Sequence, residues 1–448
     1  MIPIYTRVLT TSEFGQCDLI LSTVSLLVPL LTLSIAQGIL RFSMDKEIEI
    51  GPVFTFGLRI LAGGLGFLLL LSPLIRRIDI FNTHLSLFLL AYITSAMQNY
   101  LNMFARGINK IKLVGACGII SSVIIVVSNT LLLVVFRSGV SGYLFSFISA
   151  FTCSSIILFI GGRMHRFVTL APCPARIKKQ FVTYSLPFTP NSTSWWLNST
   201  ANRFIISGWC GVSAVGLFSA AARIPAVINA LNGIFYHAWQ LSAISEYDKH
   251  DKAHFFSKAY RTYDLVLVGT CSLLISCTKL VAGIMFSESF FVAWQFTPLL
   301  LIASLFGALS GFLESIYAAS MQTAMLYITT LVGGIAAICI NLALIPVLGP
   351  FGASVSSVLS YFSIWALRLF NTRQYVKLKL DLFKDCQCYL LLVIQAVTLV
   401  YMHTGFAYVV QLTAIILIAY LKLEDIAAII QIVVRFSRSL KREQASSD

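Results

Sequence analysis

YSLPFTPNSTSWWLNSTANRFIISGWCGVSAVGLFSAAARIPAVINALNGIFYHAW, running from Tyr184 to Trp239, is the stretch whose reading decides the fold. Two apolar segments of membrane-crossing length flank a short hinge at 208–213. Inside them lie a double proline break (Pro187, Pro190), a set of amides and hydroxyls (Asn191, Ser192, Thr193, Asn198, Asn202) and two arginines, Arg203 and Arg223. Polar and cationic groups at membrane depth are expensive, so they line a protein interior or a watery cavity. The stretch therefore predicts membrane helices with a polar inside.

The rest of the 448-residue chain agrees. Mean hydropathy is +0.85, and 58% of residues are hydrophobic against 11% charged; a soluble domain carries about 25% charged residues. Apolar runs of roughly 20 residues recur. They predict an all-α polytopic membrane protein with about thirteen spans, at 17–41, 53–75, 84–104, 113–136, 140–161, 184–208, 213–242, 263–286, 291–318, 323–347, 351–370, 386–403 and 405–421. The net charge of +14 does not point to nucleic acid, because the basic residues gather in one set of alternate loops: 41–52, 105–112, 162–182, 244–262, 371–385 and the tail from 422. Arg7, Arg76, Arg77, Arg137 and Arg203 make up the opposite set, while Arg59, Arg223, Lys279 and Arg368 fall within spans. By the positive-inside rule the first set and the C-terminus are cytoplasmic. The ten cysteines mostly sit in or beside spans without paired CxxC spacing, which reads as apolar filler rather than a metal site. No cofactor is expected, and no GxxxxGK[ST] phosphate loop is present for ATP hydrolysis.

An internal echo sets the architecture. Thr11-Ser12-Glu13-Phe14-Gly15 and Val212-Ser213-Ala214-Val215-Gly216 share the frame x-Ser-x-apolar-Gly, each opening a long span. Ser128-Asn129-Thr130-Leu131-Leu132-Leu133 running into Gly139-Val140-Ser141-Gly142 is matched by Ile340-Asn341-Leu342-Ala343-Leu344-Ile345 running into Gly349-Pro350-Phe351-Gly352-Ala353. Offsets of roughly 200 residues fit a duplicated helical lobe rather than a solenoid. Only Met1–Thr10 precedes the first frame, whereas a full span precedes the second, so the first copy reads as one helix short. Restoring it gives fourteen spans: two six-helix lobes in parallel repeat plus a terminal pair, with a cavity between the lobes. The expected division is an N-terminal lobe at 1–161, a basic cytoplasmic linker at 162–183, a C-terminal lobe at 184–371, the extra pair at 386–421, and an amphipathic segment with a cytoplasmic tail at 422–448.

Several blocks carry a family resemblance. Pro3…Arg7-Val8-Leu9-Thr10…Glu13-Phe14-Gly15, Gly38-Ile39-Leu40-Arg41-Phe42, Arg106-Gly107-Ile108-Asn109-Lys110, Tyr184-Ser185-Leu186-Pro187, Val215-Gly216-Leu217-Phe218-Ser219 and Gly349-Pro350-Phe351-Gly352-Ala353 occur in this order. Together they resemble the Wzx-type polysaccharide-export flippases of the multidrug/oligosaccharidyl-lipid/polysaccharide exporter superfamily. The resemblance implies a flippase of the bacterial inner membrane that moves undecaprenyl-diphosphate-linked oligosaccharide, an O-antigen or other lipopolysaccharide repeat unit, to the periplasmic leaflet. It also implies membrane lipids, a polysaccharide polymerase and a chain-length regulator as partners. One departure is Asn202, which stands before Arg203 where relatives often carry Asp.

A flippase must lower the barrier for a diphosphate and sugars to cross hydrocarbon, and guanidinium groups pair bidentately with phosphate while staying charged. Arg59, in a glycine-rich span (Gly57, Gly63, Gly64, Gly66), and Arg223, just before Pro225, are the cavity candidates; a structural ion pair or a snorkelling side chain is the competing account. Arg7 and Arg203 fall near the outer mouth by repeat position, as cavity contacts or interfacial anchors. Arg41 ends its span on the cytoplasmic side, as a substrate contact or a topological anchor. Asn198 and Asn202, with Asn191, Trp195 and Trp196, suit sugar contact or equally interhelical amide bonds. Asp18 and Glu314 are the acids to carry a coupling ion or to pair with an arginine. The rival functions are a cation-coupled drug exporter of the same superfamily and a membrane polymerase or glycosyltransferase. Short, acid-poor outer loops (Asp79, Glu288) weigh against the enzymes.

Overall fold

A computed structural model describes residues 1–45, 47–247, 251–320, 322–402 and 404–427. The amphipathic segment and tail expected at 422–448 lie outside the described residues from 428 on. Among the described residues the chain is helical throughout, with no strand. In chain order the principal helices are α1 (Ile2–Val8), α2 (Thr11–Leu31), α3 (Ile35–Ser43), α4 (Ile50–Ile75), α5 (Leu85–Gly107), α6 (Ile111–Asn129), α7 (Gly139–Gly161), α8 (Ala175–Ser185), α9 (Phe188–Ser199), α10 (Asn202–Cys210), α11 (Val212–Ala221), α12 (Ala226–Glu246), α13 (Lys252–Ser276), α14 (Thr278–Met285), α15 (Thr297–Ala319), α16 (Thr323–Thr372), α17 (Leu382–Tyr401) and α18 (Thr404–Leu421).

Helices occupy every expected span, but fewer qualify as simple crossings. Among the described residues, seven helices are long and apolar enough to cross a membrane, or nine when two bent pairs count as one span each. The difference has local causes. The α5 helix carries Tyr92, Gln98, Asn99, Tyr100 and Asn102, which dilute its apolar content. The span expected at 184–208 is broken into α8, α9 and α10 around Pro187 and Thr200. Two expected spans run together in α16, where Gly349 adopts φ 59° between Pro346 and Pro350. A left-handed glycine between prolines turns the chain without losing helix on either side. The α11–α12 pair bends by 51° at Arg223–Pro225, and α13–α14 by 64°.

The chain forms two compact units. The first comprises Met1–Ser219 with Phe286–Phe290. Its opening is firmly built: Thr10 and Glu13 form a capping box at the start of α2, satisfying amide groups that helix starts leave unpaired. The α1 helix is held by Tyr5, whose hydroxyl accepts a hydrogen bond from Asn129 Nδ2 (3.0 Å) and whose ring meets Tyr143 edge-on at 5.0 Å. Pro29, inside the last turn of α2, precedes left-handed Leu33 and Ser34, which break the first long span into α2 and α3. The α3 helix then packs against α8 and α5 over Phe42, Phe104 and Phe181.

The second unit comprises Ala220–Met285 with Phe291–Asp448 as far as it is described. Its centre is α15, buried on nearly all sides among α12, α13, α16 and α17. Trp239, Phe312, Tyr263 and Phe235 stack there. The terminal pair is clamped by amides: Gln411 Nε2 donates to the Gln395 carbonyl (2.9 Å), and Ser272 Oγ donates to Gln395 Oε1 (2.9 Å). Away from water such bonds have no competing partner and hold apolar helices in register.

The repeated Ser-x-apolar-Gly frames touch within the first unit. Gly15 of α2 and Gly216 of α11 lie backbone to backbone: a Cβ on Gly15 would stand 2.1 Å from the Val212 carbonyl oxygen, and one on Gly216 1.9 Å from that of Thr11. Beside them Thr11 Oγ1 and Ser213 Oγ share a hydrogen bond of 2.6 Å. We expect Gly216→Val to force the helices apart, lowering stability by about 1–3 kcal/mol. Thermal unfolding of the purified protein measures this, with Gly63→Ala as control, since a Cβ at Gly63 meets nothing within 4 Å.

Candidate functional site

One turn beyond the glycine contact stands Asp18, which binds two groups. Ser219 Oγ donates to its Oδ2 at 2.7 Å, and Arg203 Nε lies 2.5 Å from the same oxygen. Arg203 also donates from Nη1 to the Ser199 carbonyl at 3.0 Å. Both ionic side chains are mostly covered, at 16% and 12% exposure, so the pair is only partly screened. Thr11, Gly15 and Asp18 thus form one stripe of α2 that meets Ser213, Gly216 and Ser219 of α11.

Further along α2 the polar residues of the deciding stretch act as interhelical ties. Trp196 Nε1 donates to the Ser22 carbonyl (2.9 Å), and Ser34 and Thr189 hydroxyls meet at 3.0 Å. Asn198 and Asn202 are buried, and Asn198 Nδ2 donates to the Ser194 carbonyl (2.9 Å). The Oδ1 atom of Asn202 is enclosed with no hydrogen-bond partner among the described residues.

The arginines separate into distinct settings. Arg59 is exposed on α4 and makes no ion pair or hydrogen bond among the described residues. Its face of the helix continues through Ala62, Gly63 and Gly66, and Cβ atoms on those glycines would meet open space. Arg223 is exposed at the α11–α12 bend, where Pro225 removes an amide donor. Arg7 borders a polar hollow of 710 Å³ lined also by Thr6, Thr10, Thr11, Ser287 and Glu288. Arg41 lies elsewhere, with Lys179, in a cleft of 630 Å³.

Glu314 is held by a residue that sequence reasoning did not single out. Arg368 is fully buried; its Nη1 lies 3.1 Å from Glu314 Oε2 and also reaches the Ser310 carbonyl and hydroxyl, while Nε and Nη2 donate to Thr329 and Thr330. A second missed cluster joins Lys422 Nζ to Asp264 Oδ2 (2.5 Å) and Asp385 Oδ1 (2.6 Å), with Tyr389 donating to Asp264 Oδ1 (2.7 Å). Linear spacing could not reveal either, since the partners are 54 and 158 residues apart. Their only sequence signal was charge inside or beside apolar spans.

The α2–Arg203 pair should be structural in its first effect. Asp18→Asn removes the partner of a mostly covered guanidinium, and we expect a loss of about 1–3 kcal/mol, below the roughly 3–5 kcal/mol of a fully buried pair. Ser219→Ala should cost about 1 kcal/mol. Membrane abundance and thermal unfolding check both, and exchanging the charges (Asp18→Arg with Arg203→Asp) should recover part of the loss.

Residues 1–239 match the profile of a family described as polysaccharide biosynthesis protein. No curated protein sequence matches the chain. Among solved structures, an inward-facing multidrug resistance MATE family transporter of the MOP superfamily superposes with a TM-score of 0.71 at 13% identity, over 84% of this chain and 93% of that one. The lipid II flippase MurJ in an inward closed conformation superposes with a TM-score of 0.66 at 12% identity, over 95% and 98%. A MOP superfamily transporter from Pyrococcus furiosus gives 0.58 at 12%, over 81% and 88%. At these identities the likeness establishes the fold alone: the multi-pass helical architecture these membrane proteins share.

Proposed function

Because the chain belongs to the polysaccharide biosynthesis protein family, we propose that it is a flippase for undecaprenyl-diphosphate-linked oligosaccharide, such as an O-antigen repeat unit, working by alternating access through a cationic cavity. The observation that carries the reading is Arg59. An arginine at membrane depth costs about 2.5–3.5 kcal/mol on insertion scales, yet this one has no acid beside it among the described residues and stands over a strip of small side chains. Such a cation is stable where water or a phosphate reaches it. Arg223 is exposed at a bend, where water reaches it.

In this reading the lobes are 1–161 and 184–371, joined by the linker at 162–183, with the pair at 386–421 appended. Arg59 and Arg223 hold the diphosphate, Arg7 and Arg203 stand towards the outer mouth, and Asn198 and Asn202 reach sugars only once the buried α9–α10 surface opens. The α2–α11 contact acts as the closed outer door. The protein sits in the inner membrane with its C-terminus cytoplasmic, and a polymerase and chain-length regulator would take up the flipped product at the periplasmic leaflet. Lipid II flippase activity of a protein with the same fold supports a lipid-linked sugar as cargo.

The drug-exporter alternative needs an acid free to exchange a cation. Asp18, Asp264, Glu314 and Asp385 are each tied to a cationic side chain, which supports the flippase instead.

Two outcomes test the proposal. Arg59→Gln with Arg223→Gln should cut surface polysaccharide at least about tenfold while lipid-linked oligosaccharide accumulates, and Lys at both positions should keep partial export because charge survives without the forked geometry. Normal export from a well-expressed double Gln variant would sink the cationic cavity. Reporter fusions within 162–182 and 371–385 should read as cytoplasmic; a periplasmic signal from either reverses the orientation.

A further inference from the structure

The cleft that contains Arg41 lies apart from Arg59 and is built from two elements of the first unit. Arg41 occupies the last turn of α3, and α8 supplies Lys179, Gln180, Thr183 and Tyr184. The α8 helix is amphipathic: Phe181 and Ser185 are buried against α3, while Lys179, Gln180 and Thr183 face outward. Its neighbouring lysine points differently, with Lys178 Nζ over the Phe56 ring at 5.4 Å from the centroid. The apolar wall is Phe42, whose ring meets Phe181 at 5.4 Å and Tyr184 at 6.2 Å, both edge-on, with Ile48 beside it.

Charge in the cleft is unbalanced. Arg41 and Lys179 make no ion pair or hydrogen bond among the described residues. The one acid of the lining, Asp45, accepts the Glu47 backbone N–H at 3.0 Å through Oδ1. Two cations with unused donors, two neutral donors and an aromatic wall describe a site for an amphiphile with a phosphate at one end. A free sugar would leave the cations unmatched, and an ordinary substrate-free anchor would not need a hollow of 630 Å³, which is in the range of ligand pockets.

We propose that this cleft is a docking site for the phosphate head of a membrane lipid, with a polyprenyl diphosphate as its occupant: Arg41 and Lys179 bind the two phosphates, Gln180 and Thr183 complete the hydrogen bonding, and Phe42, Tyr184 and Ile48 cover the first isoprene units. The choice of occupant rests on the flippase reading; the phosphate chemistry does not. A diphosphate presents anionic centres to both cations at once, where a phosphodiester lipid presents one. The site would capture cargo at the membrane surface before it reaches Arg59. None of Lys179, Gln180, Thr183 or Tyr184 stood out in the sequence as a ligand contact.

The full chain in nanodiscs of neutral phosphatidylcholine, labelled with a photoreactive benzophenone derivative of farnesyl diphosphate, tests this. Peptide mapping should find label in 35–48 and 175–188, competed by inorganic pyrophosphate. Arg41→Gln with Lys179→Gln should reduce that label about tenfold or more, while Arg41→Lys keeps most of it. Label found only elsewhere, or undiminished in the double variant, overturns the site. Undecaprenyl diphosphate should displace the probe at far lower concentration than phosphatidylglycerol; equal displacement would mark a general anionic-lipid contact and overturn the assignment to cargo. The variant Arg59→Gln with Arg223→Gln separates the two readings. It should retain label in the cleft while losing export, so normal export there counts against the cavity, and lost label in the cleft counts against the docking site.

Discussion

A charge carried into hydrocarbon must meet an opposite charge, a set of dipoles or water, and the polar architecture of this protein follows from that constraint. Arg368 takes the first two routes together, with Glu314, Ser310, Thr329 and Thr330 around one planar group. Lys422 takes the first alone, lodged between Asp264 and Asp385, and so fastens the segment after α18 to α13 and α17. Removing Glu314 would leave the Arg368 charge without a counter-charge, and removing Lys422 would leave two carboxylates without a cation, which makes these clusters fixed points of the second unit. Asp18 and Arg203 are a looser version, partly exposed and shared with a hydroxyl.

That looseness matters where α2 meets α11. Glycine faces glycine, hydroxyl faces hydroxyl, and a serine faces the aspartate. The side-chain ties across this crossing are hydrogen bonds, which water can replace when the helices separate as it cannot replace a hydrophobic core. Close backbone approach also makes the contact sensitive to distance, since a gap of about 0.5–1 Å forfeits about a quarter to a half of its dispersion energy. A contact that is specific, polar and cheap to hydrate suits an interface that opens and closes in service, in contrast to the aromatic stack of Trp239 and Phe312 in the second unit.

Much of this was legible in the chain because membrane helices advertise themselves by length and composition. The Ser-x-apolar-Gly frame was read as a mark of duplication, and its two glycines, Gly15 and Gly216, are also in contact, which repetition alone does not imply. Asn129 and Asn341, matched by the second echo, both donate from Nδ2 to the carbonyl four residues back. Asp18 and Glu314 were read as ion carriers or arginine partners, and the geometry shows arginine partners. What stayed hidden were pairings between distant helices. Lys422 reads as a cytoplasmic tail residue until folding buries it at 3% exposure, and Lys179 reads as one more positive-inside charge until α8 turns it towards Arg41. Counting charges assigns a side of the membrane; it does not say which charges have partners.

Partnership is what separates the arginines by capacity. A guanidinium offers five N–H donors, and binding a phosphate requires at least two on one edge to be free. Arg368 uses all three of its nitrogens on protein groups and has no edge to offer. Arg203 spends Nε on Asp18 and Nη1 on Ser199, leaving it a partial hand that depends on the carboxylate staying in place. Arg59 and Arg41 spend nothing among the described residues, and each stands beside open space rather than packed side chains. If the cargo is the lipid-linked diphosphate proposed above, the arginines with donors to offer it are therefore not the most buried ones but Arg59 within a span and Arg41 at the end of α3, and the proposed path would give that anion donors at the membrane surface and again at depth.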